Sequence, residues 1–290
     1  MKKKLIEFFD YKVYRIIVGG ISRLIYGNDA GLFNNISGRK VLKKANSKSL
    51  HVKNLLTDGY SLLEYNFHDS TTVKEVCDAY SKVISDVESR SPSSRKVSFA
   101  EPLLTKVPSV KKLISPQLRD VLDSYYGLDQ WRVSRAEAWR NYYWNESVEK
   151  EVHSDLMHND YDSTEILRVF VFLSDGITRE NGSTKLISIS DTKAVMRRGY
   201  ITRNKVLGFA TKYLNTKAKI LYLEGNSGFS FIFNPQLCLH AAGRVGVNGI
   251  RDVLVFSFCR SSKPFTSAGF DDMEMQQNQR LASGLSMEWK

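Results

Sequence analysis

Two short motifs precede a run that reads as a buried strand: His153-Ser154-Asp155 and His158-Asn159-Asp160, followed by "ILRVFVFLS". In an extended segment, side chains two apart point the same way. Either pair could therefore turn an imidazole and a carboxylate toward one ion. Such a mixed pair is poor for structural zinc and good for ferrous iron. Two histidines and one carboxylate on one octahedral face leave three positions for other ligands. Acids are common enough that an H-x-acid match also arises by luck, so the motif needs a third donor. The C-terminal half holds one further histidine, His240, at the end of a strand-like run.

Eleven positions after His240, Arg251 opens the run "RDVLVFSF". In a strand, Arg251, Val253, Val255 and Ser257 share a face. An arginine aimed into an apolar interior is costly unless it meets an anion, and its planar fork suits a carboxylate. Metal ligands plus one inward arginine are what a dicarboxylate cosubstrate requires, one end on the ion and the other on the guanidinium. Cys238, two before His240, reads as a neutral buried thiol. Arg168, at the start of the strand after the metal pair, reads as a paired structural arginine or as a residue lining the site.

Positioning such residues takes a scaffold, and the sequence outlines one. Residues 2–26 carry apolar residues at helical spacing, with basic and acidic residues mostly opposite. That pattern fits a helix packed on the domain's flank, or one lying on a membrane surface. Residues 28–56 read as a polar, turn-rich connector. "LLTDGYSLLEYNF" (55–67) reads as a turn at Asp58-Gly59 leading into a short strand. A helix is expected over 72–88, with Thr72 and Glu75 as a capping box, then a linker at "SPSSRK". A second helix is expected over 116–126, with Ser115 as cap, Pro116 in the first turn and Gly127 at the stop. From residue 131 onward, short strand-like runs follow one another without parallel βαβ alternation. Helices first and strands after predict a mainly β fold with flanking α-helices, an antiparallel double sheet or jelly roll.

The composition sets outer limits. The chain has 290 residues, 42% of them hydrophobic, and a net charge of +11. No apolar run reaches the roughly 20 residues of a membrane span. Glu7, Asp10, Lys12 and Arg15 interrupt the first apolar stretch and argue against a secretory signal. Three cysteines form no CxxC pair, which points to a reducing, cytoplasmic setting. The positive charge fits an anionic partner, and with no zinc-finger spacing, P-loop or RNA-binding signature, nucleic acid is not expected.

Taken together, "LLTDGYSLLE", "MHNDYDSTEILRVFVFLSDGITRENGS" and "LHAAGRVGVNGIRDVLVFSF" resemble the phytanoyl-CoA dioxygenase-like family of Fe(II)/2-oxoglutarate-dependent oxygenases. The resemblance covers about 53–260 and is poorest at 185–225. It implies a double-stranded β-helix (jelly roll, cupin-like), with iron held by His158, Asp160 and His240 and 2-oxoglutarate held partly by Arg251. It selects His158 and Asp160 over His153 and Asp155, because the family's pair lies at that distance before the strand and the "ENG" turn. It also suggests Asn141 or Tyr143 as a polar cosubstrate contact on the preceding strand. This sequence departs from the family at Ala242, where a hydroxyl residue is common, and at "LISIS", which replaces the usual "PGSH".

The implied activity is that of a dioxygenase. Molecular oxygen and 2-oxoglutarate would be consumed to hydroxylate an unactivated C–H bond, and the carboxylate ligand Asp160 favours oxygen transfer over halogenation. Nine Lys/Arg and one acid in 185–219, a stretch that covers the barrel mouth in the family, suggest a cationic lid for an anionic small molecule, an acyl thioester or a lipid- or sugar-linked substrate. The alternatives are a catalytically silent cupin-like binding protein and a membrane-surface scaffold. The expected organisation is an N-terminal helix and connector (1–52), the oxygenase domain (53–270) and a tail (271–290). The expected localisation is cytoplasmic, with peripheral membrane contact if residues 2–26 bind lipid.

Overall fold

Side chains along 250–260 alternate between two different apolar environments, and this alternation organises the molecule. The computed structural model describes residues 49–63, 67–88, 96–98, 103–128, 130–143, 157–160, 166–202, 205–206, 208–247 and 249–261. In chain order the elements are α1 (Leu50–Thr57), β1 (Tyr60–Leu63), α2 (Ser70–Glu88), β2 (Lys96–Ser98), α3 (Leu103–Lys106), a 3-10 turn (Pro108–Leu113), α4 (Pro116–Tyr126), β3 (Trp131–Tyr142), β4 (Leu167–Phe172), β5 (Thr184–Leu186), α5 (Ile189–Arg197), β6 (Tyr200–Thr202), β7 (Lys205–Val206), α6 (Gly208–Thr216), β8 (Leu221–Leu223), β9 (Ser230–Phe233), β10 (His240–Ala242) and β11 (Ile250–Arg260).

Six strands form an antiparallel sheet in the order β1-β9-β4-β11-β3-β2, and a second sheet has the order β10-β5-β8. From β4 onward the chain runs into the small sheet for β5 and β8, back to β9, across to β10 and back to β11. That winding between two sheets is a double-stranded β-helix.

Strand alternation gives the large sheet two apolar faces. On one side Leu254, Phe256, Phe258, Val169, Val171, Ile232 and Ala138 pack against α1, α2 and α4 through Val52, Leu55, Val76, Tyr80, Ile84, Leu118 and Leu122. On the other, Val253, Val255, Phe170, Phe172, Phe231 and Phe233 meet Leu186 and Leu223 of the small sheet. Behind the small sheet a third cluster joins Met157, Ile187, Leu239 and Ala241 to Val195 of α5 and Ala210 of α6.

On the helix side of β11, Asp252 is gripped by Arg140 through two bonds of 2.8 and 2.7 Å, with the Tyr80 hydroxyl of α2 3.5 Å away. Asp252 is buried and Arg140 partly so, which leaves the carboxylate answered mainly by the guanidinium, and the group ties α2 to the sheet.

Several expectations meet the structure directly. α4 starts and stops where its signals place it: the Ser115 side chain accepts from the Leu118 N–H, Pro116 opens the helix and Gly127 ends it at φ 106°. α2 begins two residues earlier than its pattern suggests. Its cap is Asp69, whose carboxylate accepts from the Thr72 N–H at 2.8 Å and from the Thr72 hydroxyl at 2.9 Å, so Thr72 is not the capping residue. Residues 50–57 form a helix within the stretch read as a connector, because Val52 and Leu55 are anchored by tertiary burial. The run "STKLISIS" is a strand only to Leu186. Ser188 then caps α5 by accepting from the Asp191 N–H. The helical pattern at 2–26, the rest of the connector and residues 271–290 lie outside the described residues. Among the described residues no helix is long and apolar enough to cross a membrane.

His68 gives the fold a pH signature. It is 2% exposed, edge-on to Phe67 at 5.4 Å. Burial pushes its imidazole from 6.5 down to about 4, against a smaller opposing pull from the Leu113 backbone. Between those values the unfolded chain takes a proton that the folded chain refuses, so stability falls as pH drops from about 7 to about 4. The loss approaches about 3 kcal/mol at the bottom of that window. Urea melts at pH 7.5 and 5 should show this slope in the wild type and a shallower one in His68→Phe. An equal slope in both would reassign the effect.

Candidate functional site

Backbone pairing brings the first two candidate ligands together. His158 and His240 stand opposite each other in an antiparallel bridge, N–H to C=O at 2.8 Å in both directions. Directly opposite residues in a sheet share a face, and the two imidazole rings lie 4.6 Å apart. Asp160, two residues on, is held by its N–H donating to the Pro235 carbonyl at 2.9 Å. Its carboxylate lies 3.8 Å from His158 Nε2 and 3.7 Å from His240 Nε2. Ligand atoms of the three residues all fall within 4.8 Å of one another, the one such grouping of His, Cys, Asp or Glu among the described residues. Asn159 turns away, and its amide donates to the Gln236 carbonyl at 3.3 Å. His153 and Asp155 lie outside the described residues.

Neighbouring groups prepare the donors. His240 Nδ1 lies 3.1 Å from the Cys238 carbonyl. A carbonyl only accepts, so Nδ1 carries a proton, which makes Nε2 the nitrogen on the Asp160 side that could serve an ion. The loop before His240 is shaped by Asn234, whose side chain accepts from the Gln236 and Leu237 N–H groups at 3.0 Å. Cys238 is fully buried with its sulfur 3.5 Å from the Asp58 carbonyl, and burial pushes its thiol far up, so it stays neutral. Gly59, at φ 86°, lets this packing form, since a Cβ there would stand 2.4 Å from the Cys238 sulfur. Arg168 forms a close ion pair with the Asp160 carboxylate through Nη1, so it is both paired and part of the site.

The second half of the site is Arg251. It is 1% exposed, on the inner face of β11. Nη1 donates to Asn141 Oδ1 at 3.2 Å and Nη2 to Thr184 Oγ1 at 2.7 Å, while Nε has no partner among the described residues. Burial lowers its pKa to about 10 despite the nearby Asp252. Asp252 points to the opposite side of the sheet, where Arg140 holds it. Among the described residues no carboxylate lies within salt-bridge distance of the Arg251 guanidinium. Such a charge, buried among neutral partners, is shaped for an anion. Gly182 of the "ENG" turn makes its space: at φ 81°, an added Cβ would meet Arg251 Cδ at 2.8 Å.

Asn141 therefore contacts Arg251, whereas Tyr143 lies beyond the end of β3 and is 42% exposed. Thr184 was not legible from the sequence. It pairs across the ladder with Ala242, and so offers a hydroxyl on the face where Ala242 offers none. Its one local signal is its place just after the Asn181-Gly182 turn. Within the basic stretch 185–219, helices α5 and α6 pack on Met157, Leu239 and Ala241, whose neighbours His158 and His240 face the other way. These two helices thus buttress the ligand strands from behind, and Asp191 is taken up by the Tyr213 hydroxyl at 3.0 Å and the Lys219 N–H at 3.2 Å.

No protein-family model and no curated protein matches the sequence. Solved structures do match. SnoK, a non-heme alpha-ketoglutarate-dependent carbocyclase from nogalamycin biosynthesis, is 14% identical with a TM-score of 0.52, over 79% of this chain and 92% of its own. EctD from S. alaskensis, solved with 2-oxoglutarate and 5-hydroxyectoine, is 16% identical with a TM-score of 0.52, over 76% and 81%. The epimerase SnoN, in complex with Fe3+, alpha-ketoglutarate and nogalamycin RO, is 15% identical with a TM-score of 0.52, over 77% and 88%. At these identities the likeness establishes the fold. The chain is a jelly roll of the kind these enzymes have.

Proposed function

We propose that this protein is an Fe(II)/2-oxoglutarate-dependent oxygenase of the phytanoyl-CoA dioxygenase-like type, which hydroxylates an unactivated C–H bond of a small molecule. The observation that carries the reading is Arg251, a buried guanidinium with neutral partners in the same interior as the His158, Asp160 and His240 cluster. The donor set suits the ion: two imidazoles and one carboxylate on one side leave the other positions open. Arg251 suits the far carboxylate of a dicarboxylic keto acid, with Thr184 and Asn141 beside it. The jelly roll shared with the three enzymes above is consistent with this reading.

When bound, ferrous iron and 2-oxoglutarate supply the oxidising chemistry, with molecular oxygen consumed and succinate and carbon dioxide released. The protein's own residues place and shield. The Cys238 carbonyl holds the His240 tautomer, Arg168 orients Asp160, and Phe170, Phe172, Phe231 and Phe233 form a dry floor beneath the site. Asp160 occupies the position that halogenating relatives leave open, which favours hydroxylation.

Anaerobic protein mixed with Fe(II) and 2-oxoglutarate should develop a weak visible charge-transfer band, and should form succinate once oxygen is admitted. Neither band nor succinate at millimolar cosubstrate would remove the proposal and favour a silent binding protein.

A further inference from the structure

Asp160 reaches the cluster with little backbone support of its own. His158 and His240 are locked to each other by their two-bond bridge, whereas Asp160 has one backbone bond among the described residues, from its N–H to the Pro235 carbonyl. Its carboxylate offers both oxygens to the imidazoles almost equally. Oδ1 lies 3.8 Å from His158 Nε2, and Oδ2 lies 3.7 Å from His240 Nε2. A carboxylate so placed can give an ion one oxygen or both. The histidines alone do not choose between these.

Arg168 breaks that symmetry. Its Nη1 forms the close ion pair with Oδ2, not with Oδ1. The large sheet fixes where this guanidinium starts from: Arg168 is 9% exposed, with Phe233 opposite it on β9 and Ser257 opposite it on β11. The Phe233 ring in turn stands nearly edge-on to the His240 ring at 5.0 Å. One cross-strand pair of the large sheet thus braces two ligands, Asp160 by charge and His240 by packing. Which oxygen Arg168 takes has a chemical consequence. Two imidazoles and one carboxylate oxygen leave three octahedral positions, enough for a chelating keto acid and oxygen. A second bond from Asp160 fills the last of them.

We propose that Arg168 is a positioning residue that limits Asp160 to one oxygen, Oδ1, at the metal, and so keeps a position open for molecular oxygen. This rests on the oxygenase reading and assigns a task within that same site. A charge-assisted bond from a planar guanidinium is strong and directional, so it keeps Oδ2 engaged while Oδ1 stays available. Lysine has the charge without the fork, and methionine has neither.

The test uses anaerobic protein loaded with Fe(II) and 2-oxoglutarate, titrated with nitric oxide as a stand-in for oxygen and followed by electron paramagnetic resonance. Calorimetry gives the iron and 2-oxoglutarate affinities separately. The wild type should bind nitric oxide saturably. In Arg168→Met that affinity should fall about 10-fold or more, while 2-oxoglutarate affinity stays within about three-fold and iron affinity within about ten-fold, the low end of what loss of a ligand-orienting group costs. Arg168→Lys should recover part of the nitric oxide affinity. Arg168→Gln, which keeps a donor but no charge, carries the same test if the methionine variant does not fold. Unchanged nitric oxide affinity in the folded variant overturns the proposal, as does a wild type that binds iron and 2-oxoglutarate but no nitric oxide. Equal losses of iron, 2-oxoglutarate and nitric oxide overturn it too, since a purely structural arginine gives that pattern. A wild type that binds neither iron nor 2-oxoglutarate ends the oxygenase reading itself, and the task assigned to Arg168 with it.

Discussion

His240→Ala is expected to bind ferrous iron more than about 100-fold more weakly than the wild type, and to lose oxygen-dependent succinate formation. Altering a group that only orients a metal ligand costs 10- to 100-fold in affinity, so loss of a ligand itself should exceed that. The fold should survive. His240 is paired with His158 through backbone N–H and C=O groups, which alanine keeps, and its neighbours Leu239 and Ala241 stay anchored behind the sheet. Asp160→Ala and His158→Ala should behave alike, whereas His153→Ala should change little. Calorimetric titration with Fe(II) under nitrogen, beside a thermal melt, separates metal loss from unfolding. Retention of iron affinity within ten-fold in a folded His240→Ala protein would exclude this cluster as the metal centre.

The second large effect belongs to Arg251. Arg251→Met should keep iron affinity and lose 2-oxoglutarate affinity by about 100- to 1000-fold, since truncating one partner of a buried charge pair costs about 2–5 kcal/mol. Stability should move the other way. Among the described residues the guanidinium donates to Asn141 and Thr184 and meets no carboxylate, so burial opposes its charge. A methionine of similar reach removes a desolvated charge, which offsets the donors lost to Asn141 and Thr184. A lower 2-oxoglutarate affinity with an unchanged or raised melting temperature would mark Arg251 as a residue retained for binding at a cost to the fold. Unaltered 2-oxoglutarate affinity would place the cosubstrate elsewhere.

Sequence alone set out what is periodic or chemically local. The Ser115, Pro116 and Gly127 signals bound α4 because capping involves neighbours in the chain. The inward row Arg251, Val253, Val255 and Ser257 follows from the two-residue repeat of a strand. The types and spacing of His158, Asp160, His240 and Arg251 marked out a chemistry. The tertiary structure decided what depends on distant pairing: that His158 meets His240, that Thr184 stands opposite Ala242, that Arg168 grips Asp160, and that α5 and α6 brace the ligand strands from behind. It also decided α1, whose short pattern becomes a helix only where Val52 and Leu55 find a core. Register between strands far apart in the chain is fixed by which faces bury together, and no short window of sequence contains both partners.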